Sequence, residues 1–190
     1  MGAGILPTTI HNNKLYFLFG KENKYETSAP GYSDFGGGTD NTESYFETAV
    51  REAGEELTGF LGSSQDVRKL LKKHGTYNID YSSNDGHSLY RAHIFPLKYD
   101  PMLAIYYNNN QQFIQTHLDP SVIKNSKIFE KAEIRWVCVD DILKMRPQFR
   151  SYFKNIIDII HVEKSDINNF IRTSLREKKH KKTLKRRYNK

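Results

Sequence analysis

Residues 37–56 read GGTDNTESYFETAVREAGEE, and the spacing of six residues in that stretch decides how the chain is read. Gly37 is followed by Glu43, then by Arg51, Glu52, Glu55 and Glu56. Phe46, Ala49, Val50 and Ala53 recur at intervals of three and four, so the pattern from Asp40 to Leu57 predicts a helix with one apolar stripe. Asn41 or Thr42 is the expected cap at its start, and Gly59 the expected stop. On such a helix Glu52 lies three residues before Glu55 and four before Glu56, so the three carboxylates share one side. Like charges at that spacing oppose helix formation, and a divalent cation reverses the sign. Hard oxygen ligands around one point suit Mg²⁺ or Mn²⁺, which also keep waters that a phosphate can replace. Arg51 is able to pair with a carboxylate and orient it.

Outward from this helix, strands and helices mix without regular alternation, which favours an α+β or layered mixed-sheet fold. Ala3 to Ile10 and Leu15 to Phe19 read as strands around a polar turn, and the breaker cluster Ser28-Ala29-Pro30-Gly31 leads into Asp34-Phe35-Gly36-Gly37-Gly38. Ser64 to Lys73 reads as a second helix with Val67, Leu70 and Leu71 inward. Thr76 to Tyr81 and Ser88 to Leu97 read as strands joined by a turn over 82–86. Pro101 to His117 is expected to be helical with Leu103, Ile105, Tyr106 and Phe113 inward. Glu133 to Val139 is a strand, followed by a helical start at Asp140 to Leu143. A helix follows over Ser151 to Val162, and a last helix begins near Lys164. There are no internal repeats.

The box resembles the signature of the Nudix hydrolases: Gly37, Glu43, then Arg51-Glu52-Ala53 and Glu55-Glu56 stand at that family's spacing. One departure is visible. The family's next glycine arrives one position late here, at Gly59 after Leu57-Thr58, and is read as a lengthened helix end. The resemblance implies a Nudix-type α/β/α sandwich around a mixed β-sheet. It also implies metal-dependent cleavage of a diphosphate linkage in a nucleoside diphosphate joined to some further group. Carried over by position, Glu52, Glu55 and Glu56 would be metal ligands, with the Gly36 carbonyl a further one and Glu43 and Arg51 in support beside Gly37. Glu52 or a carboxylate outside the box would take the proton. Glu130, six residues before Trp136, is the first choice for that extra carboxylate and Glu133 the second. The phrase Ser33-Asp34-Phe35-Gly36-Gly37-Gly38 in a chain rich in Asn, Lys, Ile and Tyr also resembles Nudix proteins of large DNA viruses.

Composition bounds the rest. The chain has 190 residues, 37% hydrophobic and 27% charged, with a net charge of +7. That is enough apolar material for one packed domain and excludes a disordered chain. No apolar run approaches the ~18 residues of a membrane span. The single cysteine, Cys138, excludes an intramolecular disulfide and is expected in the core. The expectation is a protein of a reducing, intracellular compartment, cytoplasmic or nuclear. The charge divides unevenly: residues 172–190 hold ten lysines and arginines against one glutamate, so residues 1–171 carry about −2 and form the expected hydrolase domain. The tail suits RNA phosphates or a nuclear address. Tyr32, Phe35, Tyr45 and Tyr90 are candidates for stacking on a base, and His87 and His117 have no assigned role. Two substrate classes follow, free nucleotide derivatives, slightly favoured, and the capped 5′ end of RNA; diphosphoinositol phosphates are a third. The alternative is a catalytically inactive RNA- or nucleotide-binding module of the same fold.

Overall fold

The computed structural model describes residues 1–25, 30–83, 86, 89–126 and 130–175. Parts of two expected features, the breaker cluster at 28–31 and the turn at 82–86, lie outside these residues, as does the tail from 176 onward. The chain runs β1 (Gly2–His11), β2 (Lys14–Glu22), β3 (Tyr32–Ser33), β4 (Phe35–Gly38), α1 (Tyr45–Glu56), α2 (Ser64–His74), β5 (Tyr77–Ser82) and β6 (Leu89–Pro96). It continues through α3 (Pro101–His117), α4 (Pro120–Asn125), β7 (Lys131–Cys138), α5 (Ile142–Met145) and α6 (Phe153–Val162). Residues 164–175 are helical and are called α7.

Strand residues alternate between two cores, which is what the two-residue period of an extended chain dictates when both faces of a sheet are covered. Leu15, Phe17 and Phe19 of β2 face one core with Phe153, Ile156, Ile157 and Ile160 of α6 and with Ile167 and Ile171 of α7. Leu18 faces the other with Ala49, Val50 and Ala53 of α1, Val67 and Leu71 of α2, and Tyr107 of α3. The result is a mixed seven-stranded sheet between two helical layers, the expected α+β class. The strand β1 runs parallel to β6 and antiparallel to β2 and β4. Cys138 is buried, as expected.

The sheet splits in the middle, and the split positions the site. Thr8–His11 of β1 pair with Lys14–Phe17 of β2, but Gly2–Ile5 pair with β4, while Gly20 and Lys21 of β2 pair with β3. Strands β3 and β4 thus wedge between β1 and β2, with Asp34 at the crossing, fully buried.

Three expectations need correction. Ser44 caps α1, not Asn41 or Thr42: its side chain accepts from the Glu47 N–H, while Asn41 sits at φ 39° in the turn before it. The late glycine does not lengthen α1, which stops at Glu56; the extra residue is taken up in a left-handed turn at Thr58 (φ 47°) and Gly59 (φ 82°). The inward face of α3 is Leu103, Ala104, Tyr107, Asn108 and Gln111, leaving Ile105, Tyr106 and Phe113 exposed at 47, 60 and 64%. Polar anchors turn the helix this way. The Asn108 side chain donates to the Ile134 carbonyl (3.1 Å) and accepts from its N–H (2.7 Å), occupying the outer edge of β7 as a strand would. The Tyr107 hydroxyl donates to the Glu56 carbonyl at 2.7 Å.

Candidate metal centre and adjoining cleft

The glycine strand β4 and helix α1 meet face to face. A Cβ on Gly37 would lie 2.5 Å from Glu52 Oε1, so only glycine leaves room for that carboxylate. Arg51 holds it from the other side. Its Nη1 donates to Glu52 Oε1 (2.7 Å), its Nε and Nη2 donate to the two oxygens of Glu43 (3.0 and 3.1 Å), and Nη2 also reaches the Gly38 carbonyl (2.9 Å). Glu43 accepts further from the Asp40 N–H and the Thr48 hydroxyl. The Arg51 bonds, with these, hold the Glu43 carboxyl down at about 2. The planar guanidinium thus ties the turn before α1, the helix and the glycine strand together, a set of bonds that a lysine cannot make.

Glu52 and Glu56 are buried, at 7 and 2% exposure, and a carboxylate oxygen from each lies within 4.8 Å of one from Glu130. Two of these ligand candidates come from α1 and the third from the residue just before β7, whose backbone carbonyl accepts the Asn23 N–H at 2.7 Å across the β2–β7 edge. Glu55, on the same helix but more exposed, lies outside this group, with Oε1 3.6 Å from Arg51 Nη1. Glu133 does not join it either; its carboxylate accepts the Tyr32 hydroxyl. Gly36 lies on β4 opposite Gly4 of β1.

Behind the glutamates lies a buried ionic network that spacing alone did not reveal. Lys131, with no exposed surface, places Nζ 3.1 Å from Glu56 Oε1, 2.9 Å from Ser33 Oγ, and in contact with Glu22, which Arg150 also reaches at 2.7 Å. Burial drives the Glu56 carboxyl well above the usual range against the pull of Lys131. Burial alone would lower the Lys131 ammonium, yet Glu56 and Glu22 hold it up. Asp34, pushed up to about 7 by burial, accepts from the Tyr90 hydroxyl at 2.8 Å. Lys131 stands directly after Glu130 at the head of a strand that also carries Glu133 and Arg135, so nothing local in the sequence marked it as buried.

The residues fit a hard divalent cation. Glu56 Oε1 is engaged by Lys131, but Oε2 is buried without a hydrogen-bond partner among the described residues, a costly state that an ion between Glu52, Glu56 and Glu130 would relieve. All the donors are oxygen, as Mg²⁺ and Mn²⁺ prefer. A cleft of about 440 Å³ is lined by Gly36, Gly37 and Gly38 together with Tyr81, Leu89, Tyr90, Arg150 and Tyr152; Gly37, one of its lining residues, is also the residue packed against Glu52. Of the four aromatic residues singled out for stacking, Tyr90 lines this cleft. Tyr32 and Phe35 are core residues, and Tyr45 carries the Arg91 guanidinium over its ring at 5.1 Å.

No family model matches the chain, and no curated protein does. Among solved structures it is similar to the NUDIX domain of Shewanella oneidensis NrtR in complex with ADP ribose, at 14% identity over 83% of this chain and 82% of that one, with a TM-score of 0.45. It is also similar to a C. elegans Ap4A hydrolase (15% identity, 93 and 99% coverage, TM-score 0.45). The MutT protein of Methanosarcina mazei Go1 is a third (15%, 86 and 93%, 0.45).

Proposed function

We propose that this protein is a metal-dependent pyrophosphohydrolase of the Nudix type, cleaving a diphosphate linkage in a nucleoside diphosphate-linked substrate. The observation that carries the reading is the convergence of Glu52, Glu56 and Glu130 around the orphaned Glu56 oxygen, with Glu52 packed against Gly37, a lining residue of the glycine-walled cleft. Glu52, Glu56 and Glu130 would hold the ion, with Glu55 and the Gly36 carbonyl as the further ligands the box implies. When bound, a divalent cation supplies neutralisation of the diphosphate oxygens and a more acidic water.

The chain's own groups do the rest. Arg51 fixes the rotamer of Glu52 through its bond to Oε1, and Glu43 fixes Arg51. Glu130, less buried than Glu52 and Glu56, lies where water reaches it and takes the proton of the attacking water at a carboxylate oxygen, with Glu52 the alternative. The bare backbone of Gly36–Gly38 lets the diphosphate approach the carboxylates without a side chain between them.

The lining of the cleft favours a nucleotide over a densely phosphorylated inositol. Three tyrosine rings and Leu89 suit a planar base, while the cation among them, Arg150, is already bonded to Glu22. Free nucleotide derivatives are the first substrates to try, and the capped 5′ end of RNA the second. The test is a screen with Mg²⁺ and Mn²⁺ over nucleoside triphosphates, dinucleoside polyphosphates, nucleotide sugars and capped RNA. Metal-dependent release of product from one class, lost in Glu56→Gln, supports the reading. Absence of turnover on every class would favour the inactive binding module instead.

A further inference from the structure

The helix α3 has two apolar faces, and the fold covers one of them. Leu103, Ala104 and Tyr107 pack inward against the core. On the opposite side Met102, Ile105, Tyr106, Asn109, Phe113 and His117 fall within a stripe roughly 120° wide at 3.6 residues per turn. All six are exposed in the single chain. Phe113 is already held in place there, its ring stacked on that of His117 with centroids 4.3 Å apart and planes inclined by 23°. A surface helix ordinarily turns charged residues outward. Residues 101–117 contain no Asp, Glu, Lys or Arg, in a chain that is 27% charged. A helix apolar on both sides is one whose second side is also covered in the working molecule.

The pattern of the stripe selects its occupant. It reads alike from both ends: Ile105 stands four residues before Asn109 and Phe113 four residues after it. Two copies of α3 laid antiparallel across a two-fold axis at Asn109 would set Ile105 and Tyr106 of each copy against Phe113 of the other. Such a contact must be complementary to itself. A charged side chain near the axis would meet its own like charge, and the stripe has none. Asn109 would meet its own copy, and an amide, which both donates and accepts, pairs with itself. One amide in an apolar seam also fixes the register. A different protein would be recognised and oriented largely by charge, which this face does not offer.

We propose that the protein forms a homodimer through the outer face of α3, antiparallel about Asn109, with Ile105, Tyr106 and Phe113 as its apolar centre. The area is sufficient. Tyr106 and Phe113 are each more than half exposed and together offer roughly 250 Å². Met102 and Ile105 bring the apolar face to roughly 350 Å² per copy. At the usual apolar share of about 60%, two copies bury roughly 1,200 Å², the lower end of stable, specific interfaces. None of these residues belongs to the glutamate group or lines the glycine-walled cleft, so the dimer stands or falls independently of hydrolysis.

The experiment is sedimentation velocity on the full chain from about 1 to 100 μM, the range in which an interface of this size assembles. The expected result is a species of twice the 22.2 kDa chain mass that grows with concentration. Ile105→Ser and Phe113→Ser should each raise the dissociation constant at least about tenfold. Both side chains are exposed in the single chain, so the far-ultraviolet spectrum of each variant should match the parent. Asn109→Asp and Asn109→Lys should each weaken the dimer by at least about tenfold, because like charges then meet at the axis. An equimolar mixture of those two variants should recover it, since opposite charges meet instead, and misfolding cannot imitate that recovery. A parent that stays monomeric throughout would overturn the proposal and give the face to a different partner, a foreign protein or a membrane surface. A dimer untouched by all four substitutions would overturn it by placing the contact elsewhere, and a mixture that fails to recover would overturn the two-fold pairing about Asn109.

Discussion

Lys131 Nζ lies 3.1 Å from Glu56 Oε1, and the two side chains are 0 and 3% exposed. A lysine is buried this completely only when paired, and here it serves two carboxylates at once, Glu56 from α1 and Glu22 from β2. It thereby fastens the box helix to the split in the sheet. Removing its charge while keeping its bulk, in Lys131→Met, leaves buried carboxylates uncompensated. A loss of about 3–5 kcal/mol in urea unfolding is expected, and Glu22→Gln added to it should recover part of that loss.

Arg51 joins Glu43, Glu52 and the Gly38 carbonyl through separate guanidinium nitrogens. Arg51→Lys keeps the charge but loses this fork. If Glu52, a proposed ligand, depends on it for orientation, Mn²⁺ affinity measured by calorimetry should fall roughly 10- to 100-fold. An unchanged affinity would show that Glu52 is placed by Gly37 and its own helix.

Glu130 and Glu133 stand three residues apart and have different neighbours, one grouped with Glu52 and Glu56, the other accepting the Tyr32 hydroxyl. Glu130→Gln should lower turnover by about two to four orders of magnitude, the usual range for a general base. Glu133→Gln should leave kcat within about twofold of the parent, a range appropriate to a residue that takes no part in the proton transfer. Steady-state kinetics on whichever substrate the screen finds distinguishes the two; the reverse pattern would exchange their roles.

His93, beneath α1 and beside the Phe46 ring, is held down at about 4 from 6.5, chiefly by burial. Between those values the unfolded chain binds a proton that the folded chain refuses, so stability from this residue is full above pH 6.5 and declines as pH falls towards 4. The size is about 3 kcal/mol. Asp34, raised to about 7, acts in the opposite sense over much of this range, so the quantity to measure is the stability difference between the parent and His93→Gln. That difference should shrink steadily from pH 7 to pH 4 in denaturant melts, and a constant difference would be inconsistent with a neutral buried imidazole.

Much of the architecture was legible because both faces of the sheet are covered and strand and helix periods are therefore strict. The apolar stripe of α1, the strand around Trp136 and the isoleucine face of α6 all follow from spacing. Where spacing failed, polar contacts decided. The apolar residues of α3 face outward because Tyr107 and Asn108 spend their hydrogen bonds on the backbone of α1 and β7, a preference no hydropathy pattern records. The cap of α1 is Ser44, whose extended backbone lets its hydroxyl accept the Glu47 N–H, while Asn41 lies at positive φ in the turn before the helix. In the site, helical geometry marked Glu52, Glu55 and Glu56 alike, of which Glu52 and Glu56 group with Glu130, the residue the family resemblance suggested as an extra carboxylate. Lys131, Glu22 and Arg150 were not marked, since their meeting depends on the pairing of β2 with β7 and on the split between β1 and β2. Strand pairing is a long-range choice that local spacing does not encode.

The most direct measurement is the anomalous scattering of crystals soaked in millimolar Mn²⁺. The expected result is a peak among Glu52, Glu56 and Glu130, about 2.0–2.3 Å from a carboxylate oxygen of each, vanishing in Glu56→Gln crystals treated alike. Well-occupied Mn²⁺ sites elsewhere with none between these three side chains, or no bound ion at all, would contradict the metal centre on which the proposed hydrolysis rests.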